Sequence, residues 1–451
     1  MTIEMTSGKS MKIVRADSMD AAGLTSLLAR PAMEAGDELR QVVSGIIESV
    51  RRDGDSALLE YGRRFDGREP VSLMATADEL GAAADELDRG LLAAIDTAIE
   101  TVGRFHQVGK PEDQCVETAP GVTCQVRWRA LDPVGLYVPA GSAPLPSTAI
   151  MLGVPARLAG CRNIVLSTPP GADGRADAAV RAIAFKLGID KVLVAGGAQA
   201  VAAMAYGTES VPRVTKIFGP GNRFVTEAKR QVAEHADGAD MDLPAGPSEL
   251  MVLADDSANP EFVAIDLLSQ AEHGPDSQVF LVTTSTDLAQ QVVAAIEQLL
   301  SRLPRVDTAR KALAHGAILI VGRMDQAMTI ANAYAPEHLI IACRNADDLC
   351  DEVHNAGSVF LGHYTPESLG DYVSGTNHVL PTGGWARSRA GLSVTDFMRR
   401  MTVQQATPEG LKQLGPAGAT LAAHEGLDAH RLAIDLRLSS LTGGSTQGEA
   451  G

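Results

Sequence analysis

The sequence predicts an α/β protein built from two successive blocks of parallel βαβ units flanked by helical segments. Three observations carry this. Apolar runs of strand length recur along the chain, and several end in glycine and lead into a helical pattern. Glycine is abundant (44 residues) while aromatics make up only 4%, which suits layered structure with tight turns. The 451 residues also exceed what one compact core holds, since domains run to about 100–200 residues.

The elements follow in order. Residues 1–34 read as a polar, irregular lead-in. ELRQVVSGIIESVRRDGDSALLEYGRRFDG places apolar residues every three or four positions, which is helical, and Gly54 within Arg52–Ser56 divides it into two helices. From about 122 the period changes, and VTCQVRWRAL alternates like a strand. LDPVGLYVPAGSAPLPSTAIMLGVPARLAGC reads as strand, Gly/Pro loop and helix. NIVLSTPP (163–170) reads as a buried strand with its exit turn. DKVLVAGGAQAVAAMAYG (190–207) and TKIFGPGNRFVTEAKRQVA (215–233) each read as strand, glycine turn, helix. Over 249–390 the same grammar returns, with ELMVLAD, SQVFLVTTS, GAILIVG, HLIIAC and GSVFLG as strands. From 392 to 441 the pattern is helical again, through FMRRMTV, EGLKQLGPAGATLAAHEG and DAHRLAIDLRLSSL, and the last ten residues have a disordered composition.

Charge and composition remove several function classes. A formal charge of −17 repels phosphate backbones and anionic lipid, so neither nucleic acid nor membrane is an expected partner. No apolar run approaches the roughly 18 residues of a membrane span. MTIEMTSGKSMKIVRAD lacks the apolar core of a signal peptide, which makes the cytoplasm the expected location. Cys115, Cys124, Cys161, Cys343 and Cys350 form no CxxC pair, so neither a disulfide framework nor a thiolate zinc cluster is expected.

The residues able to carry chemistry are scattered. There is no GxGxxG, but the turns Gly196–Gln199 and Gly219–Asn222 follow strands, where glycine lets backbone approach a ligand and a helix N-terminus favours phosphate. Tight βα turns need glycine in any case, so these turns alone are weak. In LLSQAEHGPDSQ, Gln270 and His273 are three apart and share a face if the segment is helical, although glutamine is a poor metal ligand. Glu337 and His338 put an acid beside a possible base, and both can serve one site only if the pair lies in the loop before its strand. The segment after GSVFLG is dense in polar residues: His363, Glu367, Asp371, Ser374, Asn377 and His378. Glu425 and His430 flank Gly426 at an interhelical turn, while His424 reads as a helix-end residue. His106, His235, His315, His354 and His363 read as structural or solvated.

Taken together, GLYVPAGSAPLPSTAIMLGVPARLAGC, VAGGAQAVAAMAYGTESVP, IFGPGNRFVTEAKRQV, DLPAGPSEL, DLLSQAEHGPDSQ, APEHLI, AGSVFLG, GTNHVLPT and EGLDAH resemble histidinol dehydrogenases in order and spacing, over roughly residues 35–440. The resemblance implies a homodimer with two incomplete Rossmann-like domains: residues 35–136 with 249–391, which carry catalytic and metal residues, and 137–248, which contact NAD. It makes 392–451 a C-terminal dimerisation segment. By that pattern Gln270, His273, Asp371 and His430 bind one zinc, with His430 supplied by the partner subunit. Glu337 and His338 match the acid–base pair, and Tyr137, Gln199 and Asn222 match the NAD contacts. Ser248, His378 and Glu425 match substrate contacts, joined by His338 and the four metal residues. One departure is Trp385 in GGWAR, where the family often carries tyrosine.

The implied reaction is zinc-dependent oxidation of L-histidinol to L-histidine by two NAD through an enzyme-held aldehyde, in histidine biosynthesis. Three rivals are a paralogue acting on another alcohol, an aldehyde dehydrogenase with Cys161 as thiolate nucleophile, and a non-catalytic metal- or nucleotide-binding protein.

Overall fold

The computed structural model describes residues 11–30, 36–68, 70–140, 144–243 and 246–442. The first ten residues of the lead-in, Gly141–Ala143 of the Gly/Pro loop, Pro244–Ala245 of DLPAGPSEL and nearly all of the C-terminal tail lie outside them. The strands among the described residues are β1 (Lys12–Arg15), β2 (Gln114–Ala119), β3 (Val122–Ala130), β4 (Val134–Tyr137), β5 (Ile164–Thr168), β6 (Lys191–Val194), β7 (Lys216–Phe218), β8 (Asp240–Met241), β9 (Glu249–Ala254), β10 (Gln278–Thr283), β11 (Ala317–Ile320), β12 (His338–Ala342), β13 (Ser358–Leu361) and β14 (Met398–Ala406). The chain forms two compact units: residues 1–109 with 131–397, and residues 110–130 with 398–451.

The first unit contains two parallel sheets. One is six-stranded, in the order β1-β11-β10-β9-β12-β13, and the other five-stranded, in the order β6-β5-β4-β7-β8. Their inner strands, such as β5, β9 and β10, are buried on both faces, as expected of parallel sheets covered by helices. Along β9, Leu250, Val252 and Ala254 pack toward the helices Pro260–Ala271, Thr286–Leu300 and Val306–Leu313. Their neighbours Met251 and Leu253 pack on the opposite face, toward the helix Met324–Tyr334. This period of two is the alternation of strand side chains. One face of the five-stranded sheet is covered by Asp37–Asp53, Gly197–Tyr206 and Arg223–Ala233, and the alanines of Gly197–Tyr206 allow close packing. The break expected after Arg52 falls at Gly54, with φ +56°.

Two expectations need correction. The lead-in is not simply irregular. Lys12–Arg15 adds an edge strand to the six-stranded sheet, Met11 is buried beneath it, and Ala21–Leu27 is a helix capped by Asp20. FMRRMTV is not helical either. Met398–Ala406 is β14, paired antiparallel with β3 over nine residues, and β2 completes this three-stranded sheet in the second unit. The helices Pro408–His424 and Asp428–Thr442 form a hairpin in the same unit, packing Ile434 and Leu438 against Gly415.

The strand order of the five-stranded sheet reverses at β4, between β5 and β7, and ligands of α/β sheets bind outside the carboxyl ends at such a switch point. Gly219 and Pro220, just past β7, line a cavity there. The six-stranded sheet meets the same cavity with the opposite edge, through Ser248 ahead of β9 and Glu337 and His338 at the start of β12.

Candidate active site

The cavity has a volume of about 220 Å³ and lies within the first unit. Its walls carry Ser248, His273, Glu337, His338, Asp371 and His378, six residues expected from sequence to share one site. A separate surface depression around Phe262, Ile265, Leu299 and Leu303 holds no histidine and no carboxyl–imidazole pair.

The start of β12 explains the placement of the acid–base pair. Ala335 ends the helix Met324–Tyr334 with φ +55°, Pro336 stiffens the turn, and Glu337 enters from the loop while His338 is the first strand residue. Both are buried. The Glu249 N–H donates to Glu337 Oε2 at 2.9 Å, and the Glu249 carbonyl faces His338 Nδ1 at 3.2 Å. His338 lies 3.7 Å from Glu337, 3.8 Å from Glu367 and, through Nε2, 3.6 Å from Asp371. That last separation is too long for a hydrogen bond, and Nε2 has no partner among the described residues. Burial pushes Glu337 up to about 7, opposed by His338. Burial pulls His338 down, but Glu367, Glu337 and Asp371 outweigh it and raise the imidazole to about 10.

Gln270, in the last turn of Pro260–Ala271, and His273, just beyond it, touch as their spacing suggested. The fully buried Gln270 amide is oriented by its neighbours: its oxygen accepts from His273 Nδ1 at 3.1 Å and its nitrogen donates to Glu367 Oε1 at 3.1 Å. Burial lowers His273, which keeps the imidazole neutral, while Asp371 is held low despite its burial, chiefly by the neighbouring imidazole of His338. A neutral imidazole and an ionised carboxylate are the protonation states a metal requires. Among the described residues His338, Glu367 and Asp371 also present ligand atoms within 4.8 Å of one another, a second donor set sharing Asp371. Glu367 was read from sequence only as one of several polar residues. Its burial to 1% exposure singles it out, and no spacing reveals that. His378 closes the wall, with Nδ1 at 2.9 Å from the Asp371 carbonyl and Nε2 at 3.4 Å from Thr148 Oγ1. Burial lowers its pKa, so it is a neutral hydrogen-bonding group.

Tyr137, Gln199 and Asn222 gather at the carboxyl ends of β4, β6 and β7. The Gly197 N–H donates to the Tyr137 hydroxyl at 3.0 Å. Asn222 caps the helix Arg223–Ala233, accepting from Phe224 and Val225. Gln199 is buried in the first turn of the helix Gly197–Tyr206, and its Oε1 has no partner among the described residues, an orphaned acceptor. Gly219 has φ +119°, and a Cβ there would collide with the Tyr137 carbonyl, so this turn requires glycine. Glu425 and His430 belong to the second unit, exposed on either side of Gly426, whose φ of +71° turns the chain between the two C-terminal helices.

Comparison with known proteins agrees with this architecture. Residues 29–438 match the family described as histidinol dehydrogenase. The chain is 52% identical over 420 residues to a histidinol dehydrogenase from Idiomarina loihiensis, covering 93% of this chain and 95% of that protein. It is 53% identical over 430 residues to one from Xylella fastidiosa, covering 95% and 100%. The crystal structure of histidinol dehydrogenase from Elizabethkingia anophelis superposes with a TM-score of 0.92 at 42% identity, covering 97% of this chain and all of that one. The chain therefore belongs to the histidinol dehydrogenase family of NAD-dependent oxidoreductases.

Proposed function

We propose that the family reaction, oxidation of L-histidinol to L-histidine with two NAD reduced, is run here by Glu337 and His338 beside a zinc ion in the cytoplasm. The observation that carries this reading is a buried carboxyl–imidazole pair on the cavity wall, adjacent to Gln270, His273 and Asp371. Those three supply an amide oxygen, a neutral imidazole and a carboxylate, a set suited to a zinc that keeps a position open for substrate. His430 of the partner subunit completes the set in a homodimer. Gln270, His273, Asp371 and the partner's His430 would hold the zinc, which would supply a positive charge to anchor the substrate and weaken the field that keeps His338 protonated, and Tyr137, Gln199 and Asn222 would hold NAD, the hydride acceptor of each oxidation.

His338 accepts the alcohol proton in the first oxidation. Glu337 takes a proton from the water that attacks the aldehyde carbon while His338 returns its proton to the carbonyl oxygen, and His338, neutral again, accepts the hydroxyl proton of the resulting diol in the second. Ser248, His378 and Glu425 orient the substrate. The overall balance is L-histidinol, two NAD⁺ and one water giving L-histidine carboxylate, two NADH and three protons.

The test is histidinol-dependent NADH formation with and without chelator. Two NADH per histidinol, abolished by chelation and restored by zinc, is expected; one NADH with free aldehyde, or no metal dependence, overturns the proposal. Zinc content separates the two donor sets: His273→Ala loses the ion and Glu367→Gln keeps it, whereas the reverse pattern assigns the ion to His338, Glu367 and Asp371.

A further inference from the structure

We infer that Arg30 and Glu249 are a positioning pair for the acid–base residues, clamping together the two stretches of backbone that carry them. The inference rests on the assignment of Glu337 and His338 made above. Glu249 opens β9, and the two peptide groups flanking its α-carbon serve both residues, its N–H holding Glu337 and its carbonyl facing His338. Such a residue fixes two side chains only if it is itself fixed. The Glu249 carboxylate, 3% exposed, accepts from Arg30 Nε at 2.5 Å, from Arg30 Nη2 at 2.9 Å and from the Gly383 N–H at 2.9 Å.

The same guanidinium reaches the other stretch. Arg30 Nη2 donates to the Tyr334 carbonyl at 2.8 Å and the Ala335 carbonyl at 3.3 Å, and the guanidinium carbon stacks 3.9 Å over the Tyr334 ring. These are the last residues before Pro336 and Glu337, and Ala335 is the one non-glycine residue with positive φ among the described residues. Arg30 does not line the cavity. Its fork therefore ties the first residue of β9 to the turn that delivers Glu337 and His338, 219 and about 305 residues further along the chain. A planar guanidinium can bridge a carboxylate and two carbonyls at once, and a lysine ammonium cannot.

The full-length enzyme tests this. Arg30→Ala is expected to lower kcat by about 100-fold, the cost of a small misplacement of reacting groups, with KM for NAD and zinc content unchanged. Guanidinium or ethylguanidinium ion restores part of the lost rate, ethylammonium restores none, and Arg30→Lys behaves like Arg30→Ala. The double variant Arg30→Met/Glu249→Gln leaves no unpaired buried carboxylate, so it folds while kcat stays low. Wild-type kcat in the double variant, with His338→Ala inactive, overturns the clamp alone. A joint loss of kcat, NAD affinity, zinc and thermal stability that no guanidinium ion repairs shows a merely structural arginine and also overturns it. Wild-type rates in His338→Ala would instead strike the reading of the acid–base pair.

Discussion

Oxidising an aldehyde is commonly done through a thiolate, and here the cysteines are in the wrong places for it. Cys161 is buried with its sulfur toward the Phe397 carbonyl, and burial pushes its thiol up to about 12, as it does for Cys343. None of the five lines the cavity. Iodoacetamide at pH 8 should therefore alkylate exposed Cys115 and leave Cys161 and Cys343 unmodified in the folded enzyme, and Cys161→Ala should keep histidinol oxidation within about twofold of wild type. Loss of all activity in a folded Cys161→Ala protein would sink the direct-water scheme. Single residues were also the level at which the sequence was least legible. Gln270 and His273 could be placed on one helical face but not shown to be buried, because spacing shows which side chains share a face and not whether that face is covered. Arg30, in a stretch read as lead-in, gave no sign that it reaches Glu249.

Elements were easier to read where burial imposes a pattern. The strand–glycine–helix blocks around β6 and β7 were legible because parallel strands are apolar throughout and their exit turns need glycine. β14 was not, since both faces of this strand are largely exposed and its methionines, three apart, imitate a helical period. The turn after β7 owes its shape to a buried device that no pattern announced. Lys229, from the following helix, donates to the Gly219 carbonyl at 2.9 Å and pairs with Asp242, which in turn accepts from the Gly219 N–H at 2.6 Å. Removing one partner of a buried pair costs about 3–5 kcal/mol, so Lys229→Met should lower the unfolding free energy by that order. It should also raise KM for NAD about tenfold while leaving KM for histidinol nearly unchanged, because the turn it holds leads to Asn222, one of the proposed NAD contacts. The double variant Lys229→Met/Asp242→Asn should regain stability but not NAD affinity, and a rise confined to histidinol KM would contradict this assignment of the turn.

For the whole molecule, the proposed zinc site needs two chains, and mixed dimers measure that directly. His338→Ala and His430→Ala proteins should each be inactive alone. Unfolded together in equal amounts and refolded, they should recover about a quarter of wild-type activity, because half the dimers are mixed and each mixed dimer keeps one intact site. No recovery would place His430 in the site of its own chain. The α/β class and the succession of two sheets were legible at this scale from the repeated grammar. Which edge of each sheet faces the reaction was not, since it depends on how two distant segments of sequence pack.

The edge strand β1 has a consequence for the order of events at the ribosome. Among the described residues, Lys12–Arg15 finds its only strand partner in Ala317–Ile320. At translation rates of roughly 5–20 residues per second, β1 waits on the order of 15–60 s before that partner exists. The five-stranded sheet, complete once Met241 has emerged, can form meanwhile. Sealing of the other sheet is therefore a late event of biogenesis, and until then its first strand is a short exposed segment whose Lys12 and Arg15 help keep it from pairing with a neighbouring nascent chain.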